Sequence, residues 1–367
     1  MRKIKVGVIG SGAISDIYLQ NMTGRYPNLE VLAVASAHLE NARKKAEKYG
    51  LSACTVEELL SRPEIEMIVV LTPVGTHYDL IRRALEHGKH VYTEKTLTDS
   101  PETARKLLEL ADERKLYLGS APDTFLGAAL QTARRAIDDG LLGEVHSFAV
   151  SATRCNDLLL SMFPFLREPG CGILYDYAVY YLTALVSLLG PVDRAAALTA
   201  APYPTHFGIL PDRPDYEKPF DTPNESQVSA ILRLESGVIG TLHIDADSLS
   251  GDEAFFSVYG SNGVLRLTDP NQFGGEVQLL PVNRGSWDMP QPRVLAPVSS
   301  LSDNCRGIGP QEMALAILEG RPNRAGKEMA YHVLDTLSAI LESGKDGAFH
   351  TVASTCTRPE PMAELSD

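Results

Sequence analysis

The chain has 367 residues, 44% hydrophobic and 22% charged, with a formal net charge of −13. That length favours two domains, and the composition is that of an ordinary soluble globular protein. The negative charge argues against a nucleic-acid partner, since phosphate binding needs a concentrated positive surface. No apolar run approaches the roughly 20 residues of a membrane-spanning helix, which argues against a membrane partner. The opening Met1–Gly10 stretch is basic, then apolar, but it is too short for a secretory signal and reads as a strand. Five cysteines (Cys54, Cys155, Cys171, Cys305, Cys356) are scattered without a Cys-x-x-Cys pair, and nine histidines show no ligand spacing. The expectation is reduced thiols in a cytoplasmic protein and no metal.

The first third alternates strand and helix. Ile4–Ile9 is a β-rich run, Ala13–Met22 a helix, Leu29–Ala35 a second strand, and Leu39–Tyr49 a charged helix ending at Gly50. A short helix over Val56–Leu60 precedes the nearly pure β run Met67–Leu71. Then come a helix over His77–His87, a strand at His90–Thr93, a helix over Pro101–Arg114 and a strand at Leu116–Leu118. Strands apolar throughout and separated by helices predict a parallel sheet covered on both faces. After Gly119 the rhythm changes. A helix over Leu126–Asp139 and a strand over Val145–Ser151 lead to a long apolar helix, Ile173–Leu189. Strands follow at Ala195–Ala200, Gln227–Leu234, Val238–Ile244, Ala254–Tyr259, Val264–Thr268 and Val277–Leu280. Ser236-Gly237 and Ser261-Asn262-Gly263 mark hairpins, hence antiparallel pairing. Helices over Pro310–Leu318 and Ala325–Ser343 close the chain, and the Pro-rich segment 202–224 reads as an ordered excursion.

Gly10-Ser11-Gly12-Ala13-Ile14-Ser15 lies between the first strand and first helix. The first glycine permits the tight turn, and the second lets the backbone approach a pyrophosphate at the helix start. This is the pattern of a dinucleotide-binding (Rossmann) fold, although the third position is Ser15 rather than Gly or Ala. An acidic residue ending the second strand would hold a ribose 2′-hydroxyl. Here Ser36-Ala37-His38 stands there, so nothing repels a 2′-phosphate, and Ser36 and His38 can hydrogen-bond one. The cofactor is expected to be NAD(P)(H), tilted toward NADP.

Several later motifs together resemble the glucose-fructose oxidoreductase / inositol dehydrogenase family (Gfo/Idh/MocA) over nearly the whole chain. Leu71-Thr72-Pro73-Val74-Gly75-Thr76-His77 is similar to its Thr-Pro-Asn-x-x-His loop beside the cofactor, with Val74 in place of Asn. His77 is equally readable as a helix N-terminal residue. Glu94-Lys95-Thr96 resembles the family's Glu-Lys-Pro motif, with Thr96 replacing Pro, which implies that Lys95 lies between nicotinamide and substrate. An ammonium there can bind a substrate oxygen and lower a neighbouring pKa. Asp123 and Thr124, at the crossover between domains, read either as cofactor or substrate contacts or as turn and cap residues. Gly170-Cys171-Gly172-Ile173-Leu174-Tyr175-Asp176-Tyr177-Ala178-Val179-Tyr180 resembles Gly-Gly-x-x-x-Asp-x-Gly-x-His, with Tyr180 at the His position. That variant points to a subgroup resembling dihydrodiol dehydrogenase and glucose-fructose oxidoreductase.

Asp176 and Tyr180 are spaced i, i+4 and so share a helix face. The resemblance implies that Tyr180 carries the proton, Asp176 orients the substrate or the phenol, and Lys95 stabilises the phenolate. Some of Tyr175, Tyr177, Tyr180 and Tyr181 are then helix packing. Arg154, Asn156, Asp157, Phe163 and Arg167 are candidate substrate contacts. Met162-Phe163-Pro164-Phe165 forms an apolar wall or lid.

The expected fold class is an α/β Rossmann domain over 1–122 followed by an α+β substrate and oligomerisation domain over 123–367. The second has an open, mainly antiparallel sheet, and the final helix packs back on the first. The expected function is hydride transfer between nicotinamide and a secondary alcohol or ketone of a sugar, polyol or glycoside, in a homo-oligomer formed through the C-terminal sheet. The alternatives are a glycoside-processing enzyme with internally recycled NAD(H), a dihydrodiol-type dehydrogenase, and a cofactor-binding sensor or scaffold.

Overall fold

The computed structural model describes residues 2–248, 253–282, 285 and 291–362. The chain divides into two compact units. One comprises Met1–Leu126 and Asp303–Leu334, the other Gly127–Ser302 and Asp335–Asp367.

In the first unit the chain runs β1 (Ile4–Ile9), α1 (Ile14–Gly24), β2 (Leu29–Ala35), α2 (Leu39–Tyr49), β3 (Ser52–Cys54) and α3 (Val56–Ser61). It continues through β4 (Met67–Val70), α4 (His77–Glu86), β5 (His90–Thr93), α5 (Pro101–Arg114) and β6 (Leu118–Ser120). All six strands are parallel, in the order β3-β2-β1-β4-β5-β6. That order reverses direction between β1 and β4, where open α/β sheets form their ligand crevice. Every residue of β4 is buried, as expected for a strand covered on both faces. The expected last strand, Leu116–Leu118, is displaced to Leu118–Ser120 because Val91, Tyr92 and Thr93 pair with those residues. β3 escaped the sequence reading, since three residues carry no periodicity.

The second unit starts with α6 (Ala128–Asp138), β7 (Val145–Thr153) and α7 (Asn156–Met162). The expected continuous helix 173–189 is in fact a π-helical turn, Leu174–Ala178, running into α8 (Val179–Leu189). Next come β8 (Val192–Ala200), the short pair β9 (Thr205–Phe207) and β10 (Pro219–Asp221), then β11 (Gln227–Leu234) and β12 (Ile239–Asp245). β13 (Glu253–Gly260), β14 (Gly263–Leu267), β15 (Gln278–Pro281) and β16 (Arg293–Val294) follow. The nine-stranded sheet, β16-β15-β14-β13-β7-β12-β11-β8-β17, ends on β17 (His350–Thr351). It is antiparallel except between β7 and β12. Both expected hairpins form, β11–β12 and β13–β14. On β11, Val228, Ala230, Leu232 and Leu234 point inward while Ser229, Ile231 and Arg233 are exposed, the period-2 signature of a half-covered sheet.

Between these units' sequence segments, α9 (Ile308–Glu319) returns to the first unit, against β2, β5 and β6. Polar side chains fix it there. Gln311 donates to Asn28 Oδ1 at 2.8 Å, and Asn21 donates to the carbonyls of Asn304 and Arg306. Glu312, fully buried, is paired with Arg321 and Arg324, as a buried carboxylate requires. The division between units falls within α10 (Lys327–Asp346). Among the described residues no helix is long and apolar enough to cross a membrane.

Candidate functional site

In the first unit, the turn after β1 is shaped by Gly10. Its φ is +124°, and a Cβ there would lie 2.4 Å from the Leu71 carbonyl oxygen at the end of β4. Gly12 has the opposite surroundings: a Cβ would meet nothing within 4 Å. Thr55 and Ser100 cap α3 and α5 with their hydroxyls, but Ala13 offers α1 no side-chain cap. The amides of Ala13 and Ile14 thus begin a helix beside open space, at a β–α turn. This fits a dinucleotide pyrophosphate, which those N–H groups and the helix dipole would hold. The Ser11 and Ser36 hydroxyls lie 2.8 Å apart and join the turns after β1 and β2. His38 is exposed just before α2. Position 36–38 carries no carboxylate.

Thr72 and Pro73 begin the loop after β4, where the Thr76 hydroxyl contacts Thr72 Oγ1 and the Pro73 carbonyl, each at 2.8 Å. His77 is fully buried between two carbonyls, with Nε2 2.8 Å from Thr72 O and Nδ1 2.8 Å from Thr96 O. Burial pushes its pKa down, against the pull of those carbonyls. A neutral ring has one N–H to give, so His77 donates to one of these carbonyls while sitting between the loops after β4 and β5. Glu94 accepts from the Tyr18 hydroxyl at 2.7 Å and from the Lys95 amide at 3.2 Å, so its carboxylate is held within the unit. Burial, with Glu94 beside it, raises the Tyr18 phenol well above its ordinary value. Lys95 is half-buried at the carboxyl end of β5, and its peptide to Thr96 is cis.

Asp123, a candidate substrate contact, has another duty. Its Oδ2 accepts the backbone N–H groups of Gly307 and Gly309, each at 3.1 Å, at the start of α9. The carboxylate is 1% exposed, and these bonds give it the cap role, one of the two readings the sequence left open. Burial, and less strongly Glu94, raises its pKa from 3.8 to about 6. A carboxyl group that holds its proton more tightly when folded favours the folded state fully below about 3.8. That contribution is lost as pH rises through about 6. Asp123→Asn is therefore expected to remove a stability change of about 1–3 kcal/mol between pH 4 and 7. Denaturant unfolding of both proteins across that range checks it. Parallel stability curves would refute the assignment.

In the second unit, Asp176 lies in the π-helical turn and Tyr180 in the first turn of α8, where Tyr180 is 8% exposed. Single π turns occur frequently at functional sites. The Arg154 guanidinium is 3.9 Å from the Asp176 carboxylate and 4.1 Å above the Tyr177 ring. The tyrosines of this segment divide. The Tyr177 hydroxyl lies 3.1 Å from that of Tyr181 and donates to Asp269 at 3.0 Å. Burial, with Asp269 next in effect, pushes both phenols upward, so Tyr177 and Tyr181 stay protonated structural groups. Arg167 donates to the Leu160 carbonyl, pairs with Asp215 at 2.5 Å and covers the Phe220 ring at 3.6 Å. Those bonds hold the guanidinium in place within the second unit. Asn156 opens α7, its amide bonded to Ala246 O at 2.7 Å. Phe163 is half-buried beside Phe165, with ring centroids 6.2 Å apart.

Two acidic residues escaped the sequence reading. Glu225 accepts the Leu174 amide at 3.1 Å and so holds the start of the segment bearing Asp176. A Cβ on Gly172 would lie 2.2 Å from that carboxylate, which explains the glycine. Asp269 anchors Tyr177 from 92 positions away. No local pattern marks either residue, because their partners are remote in sequence.

A family model described as "Oxidoreductase family, NAD-binding Rossmann fold" matches residues 4–121. One described as "GFO/IDH/MocA C-terminal domain" matches residues 130–266. The chain is 26% identical over 262 residues to inositol 2-dehydrogenase of Rhizobium meliloti, covering 71% of this chain and 74% of that one. It is 32% identical over 198 residues to dTDP-3,4-didehydro-2,6-dideoxy-alpha-D-glucose 3-reductase of Streptomyces violaceoruber, covering 52% of this chain and 56% of the relative. With several curated relatives the match thus spans about half their length. A solved levoglucosan dehydrogenase in complex with NADH shares the fold, with a TM-score of 0.83, 18% identity, and coverage of 96% of this chain and 100% of the other.

Proposed function

Because this chain belongs to the GFO/IDH/MocA family of oxidoreductases, whose N-terminal part is an NAD-binding Rossmann fold, we propose that it moves hydride between a nicotinamide cofactor and a secondary alcohol or ketone of a sugar, polyol or glycoside. The observation that carries this reading is the first unit's crevice. The open face of Gly12 and the uncapped start of α1 follow β1, and Lys95 follows β5, at the carboxyl ends of the two parallel strands that flank β4. A bound nicotinamide supplies the hydride chemistry. Lys95 binds the substrate oxygen, Tyr180 takes or gives its proton, and Asp176, steadied by Arg154, orients the hydroxyl. The tyrosine at 180 supports placement in the subgroup resembling dihydrodiol dehydrogenase and glucose-fructose oxidoreductase. The names of the inositol and deoxysugar relatives support a carbohydrate substrate.

Ser36 and His38, with no carboxylate at that position, favour NADP over NAD. A sugar, polyol and glycoside panel, run with each cofactor and followed at the reduced-nicotinamide absorbance, tests both proposals. Turnover is expected with NADP, and Ser36→Asp is expected to turn the preference at least about tenfold toward NAD. Wild-type preference for NAD would sink the NADP reading. Bound cofactor without turnover of any alcohol would sink the dehydrogenase.

The proposed setting is cytoplasmic, supported by the scattered cysteines. The proposed assembly is a homo-oligomer through the outward face of the nine-stranded sheet. Leu198, Ile231, Ile239 and Phe255 share that face, Leu198 at 73% exposure. Such an apolar set on an open sheet calls for a cover. Sedimentation at micromolar concentration is expected to show an oligomer that Ile231→Asp dissociates. A monomeric wild type would end the proposal.

A further inference from the structure

A cavity of about 370 Å³ opens in the second unit, lined among others by Asn156, Asp157, Thr205, His206, Phe207 and Asp247. Its most unusual wall is His206, which is 5% exposed on the short strand β9. One face of the imidazole stacks on Phe220, with centroids 5.8 Å apart and planes 20° apart. Nδ1 is 2.6 Å from Asp157 Oδ1. The buried Nε2 has no hydrogen-bond partner among the described residues. A carboxylate that accepts Nδ1–H fixes the tautomer, so the neutral ring keeps its lone pair on Nε2. A buried acceptor left unmatched costs free energy that a bound donor recovers.

The chemistry of the remaining wall narrows the ligand. Asp157 and Asp247 add carboxylate oxygens, and Asp247 already takes the Ser226 hydroxyl at 2.6 Å. Thr205 spends its own hydroxyl proton on Asp221 at 2.6 Å. The polar wall is thus dominated by acceptors. Tyr203 and Phe207, 64% and 52% exposed, supply aromatic edges at the cavity. Among the described residues no three metal-type ligands converge, so a cation does not account for it. A ring that carries several O–H donors and an apolar face matches such walls. Asn156 also lines a smaller neighbouring cavity that contains Asp176, Gly172 and Glu225. The two spaces therefore share a wall at the start of α7.

We propose that the His206–Asp157 cavity is a second sugar subsite, which holds the remote ring of a two-ring glycoside while the reacting ring lies toward Asp176. It rests on the carbohydrate reading above for the identity of the reacting ring. A ring hydroxyl donates to His206 Nε2, and others donate to Asp157 and Asp247.

Calorimetric titration of the full-length protein with glucose, methyl glucoside, maltose and cellobiose tests this without any need for turnover. At least one disaccharide is expected to bind about tenfold or more tightly than the single-ring sugars. His206→Phe should reduce that preference to twofold or less, with single-ring binding unchanged. Should His206→Phe unfold, Asp157→Asn carries the test: it frees the imidazole to take the other tautomer and should also erode the preference. A second readout is the ¹⁵N resonance of His206 Nε2, which should move on disaccharide saturation. A folded His206→Phe protein that keeps the tenfold preference overturns the subsite, as does the absence of disaccharide binding by the wild type. Loss of the dehydrogenase reading shows instead as absent turnover with sugar binding intact, so the two failures are distinguishable.

Discussion

Tyr180→Phe is expected to lower kcat by about 10² or more while the affinity for the nicotinamide cofactor stays unchanged. The proposed cofactor cradle, Gly10–Ile14, lies in the first unit, whereas Tyr180 belongs to α8 in the second. Removal of one oxygen from α8 leaves the cradle's backbone intact. An ordinary phenol, with a pKa near ~10, is a poor base at neutral pH, so the proposed partnership with Lys95 carries a second expectation. Lys95→Met should move the alkaline limb of the pH–rate profile as well as lower its height. Tyr181→Phe is the control. Its hydroxyl serves Tyr177 and is pushed toward the protonated form by burial, so the cost should fall on stability, at about 1 kcal/mol, and not on kcat. Near-normal turnover by Tyr180→Phe in single-turnover experiments would remove Tyr180 from the reaction.

Gly10→Ala and Gly12→Ala are expected to separate fold from cofactor binding. At Gly10 the added Cβ meets the Leu71 carbonyl in a backbone conformation that alanine avoids. The strain alone costs about 1–3 kcal/mol, and relief of the contact must push apart the ends of β1 and β4. Thermal unfolding should fall by several degrees, with cofactor affinity down about tenfold or more. At Gly12 the new methyl group meets no protein atom within 4 Å. The unfolding temperature should therefore hold, while the space beside the helix start is narrowed and cofactor affinity drops. Unfolding scans with and without NAD and NADP read both effects. Wild-type affinity in Gly12→Ala would mean that this turn is not the pyrophosphate cradle.

What could be read in the sequence was local. The apolar strands β1, β2 and β4, the glycine turn between Ile9 and Ile14, and the hairpins at Gly237 and Gly263 all announce themselves within a few residues. The placement of Lys95 at a strand end was equally visible. The contacts that could not be read there share one cause. Asp123 meets Gly307 across 184 positions, His206 meets Asp157 across 49, and Glu225 meets Leu174 across 51. A polar residue looks the same in sequence whether it awaits a substrate or a distant amide. Tyr177 and Tyr181 likewise look like Tyr180 in the sequence, and their link to each other and to Asp269 forms only in the fold. Elements of two or three residues, such as β3, β9, β16 and β17, are too short for any periodic signal.

The discontinuous make-up of the first unit has a consequence for how the protein is made. A ribosome releases the N-terminal end first, and domains generally fold as they emerge. Here the six-stranded parallel sheet appears early, yet the carboxylate of Asp123 and the amides of Asn21 and Asn28 must wait for Asn304–Gln311. The whole of Gly127–Ser302 is synthesised in between. The nascent cofactor-binding half therefore spends much of its synthesis with part of its apolar and polar interior uncovered. A chain stopped near residue 302 would leave the ribosome with the glycine cradle made but its supporting helix missing, a natural client for chaperones rather than a miniature cofactor-binding protein.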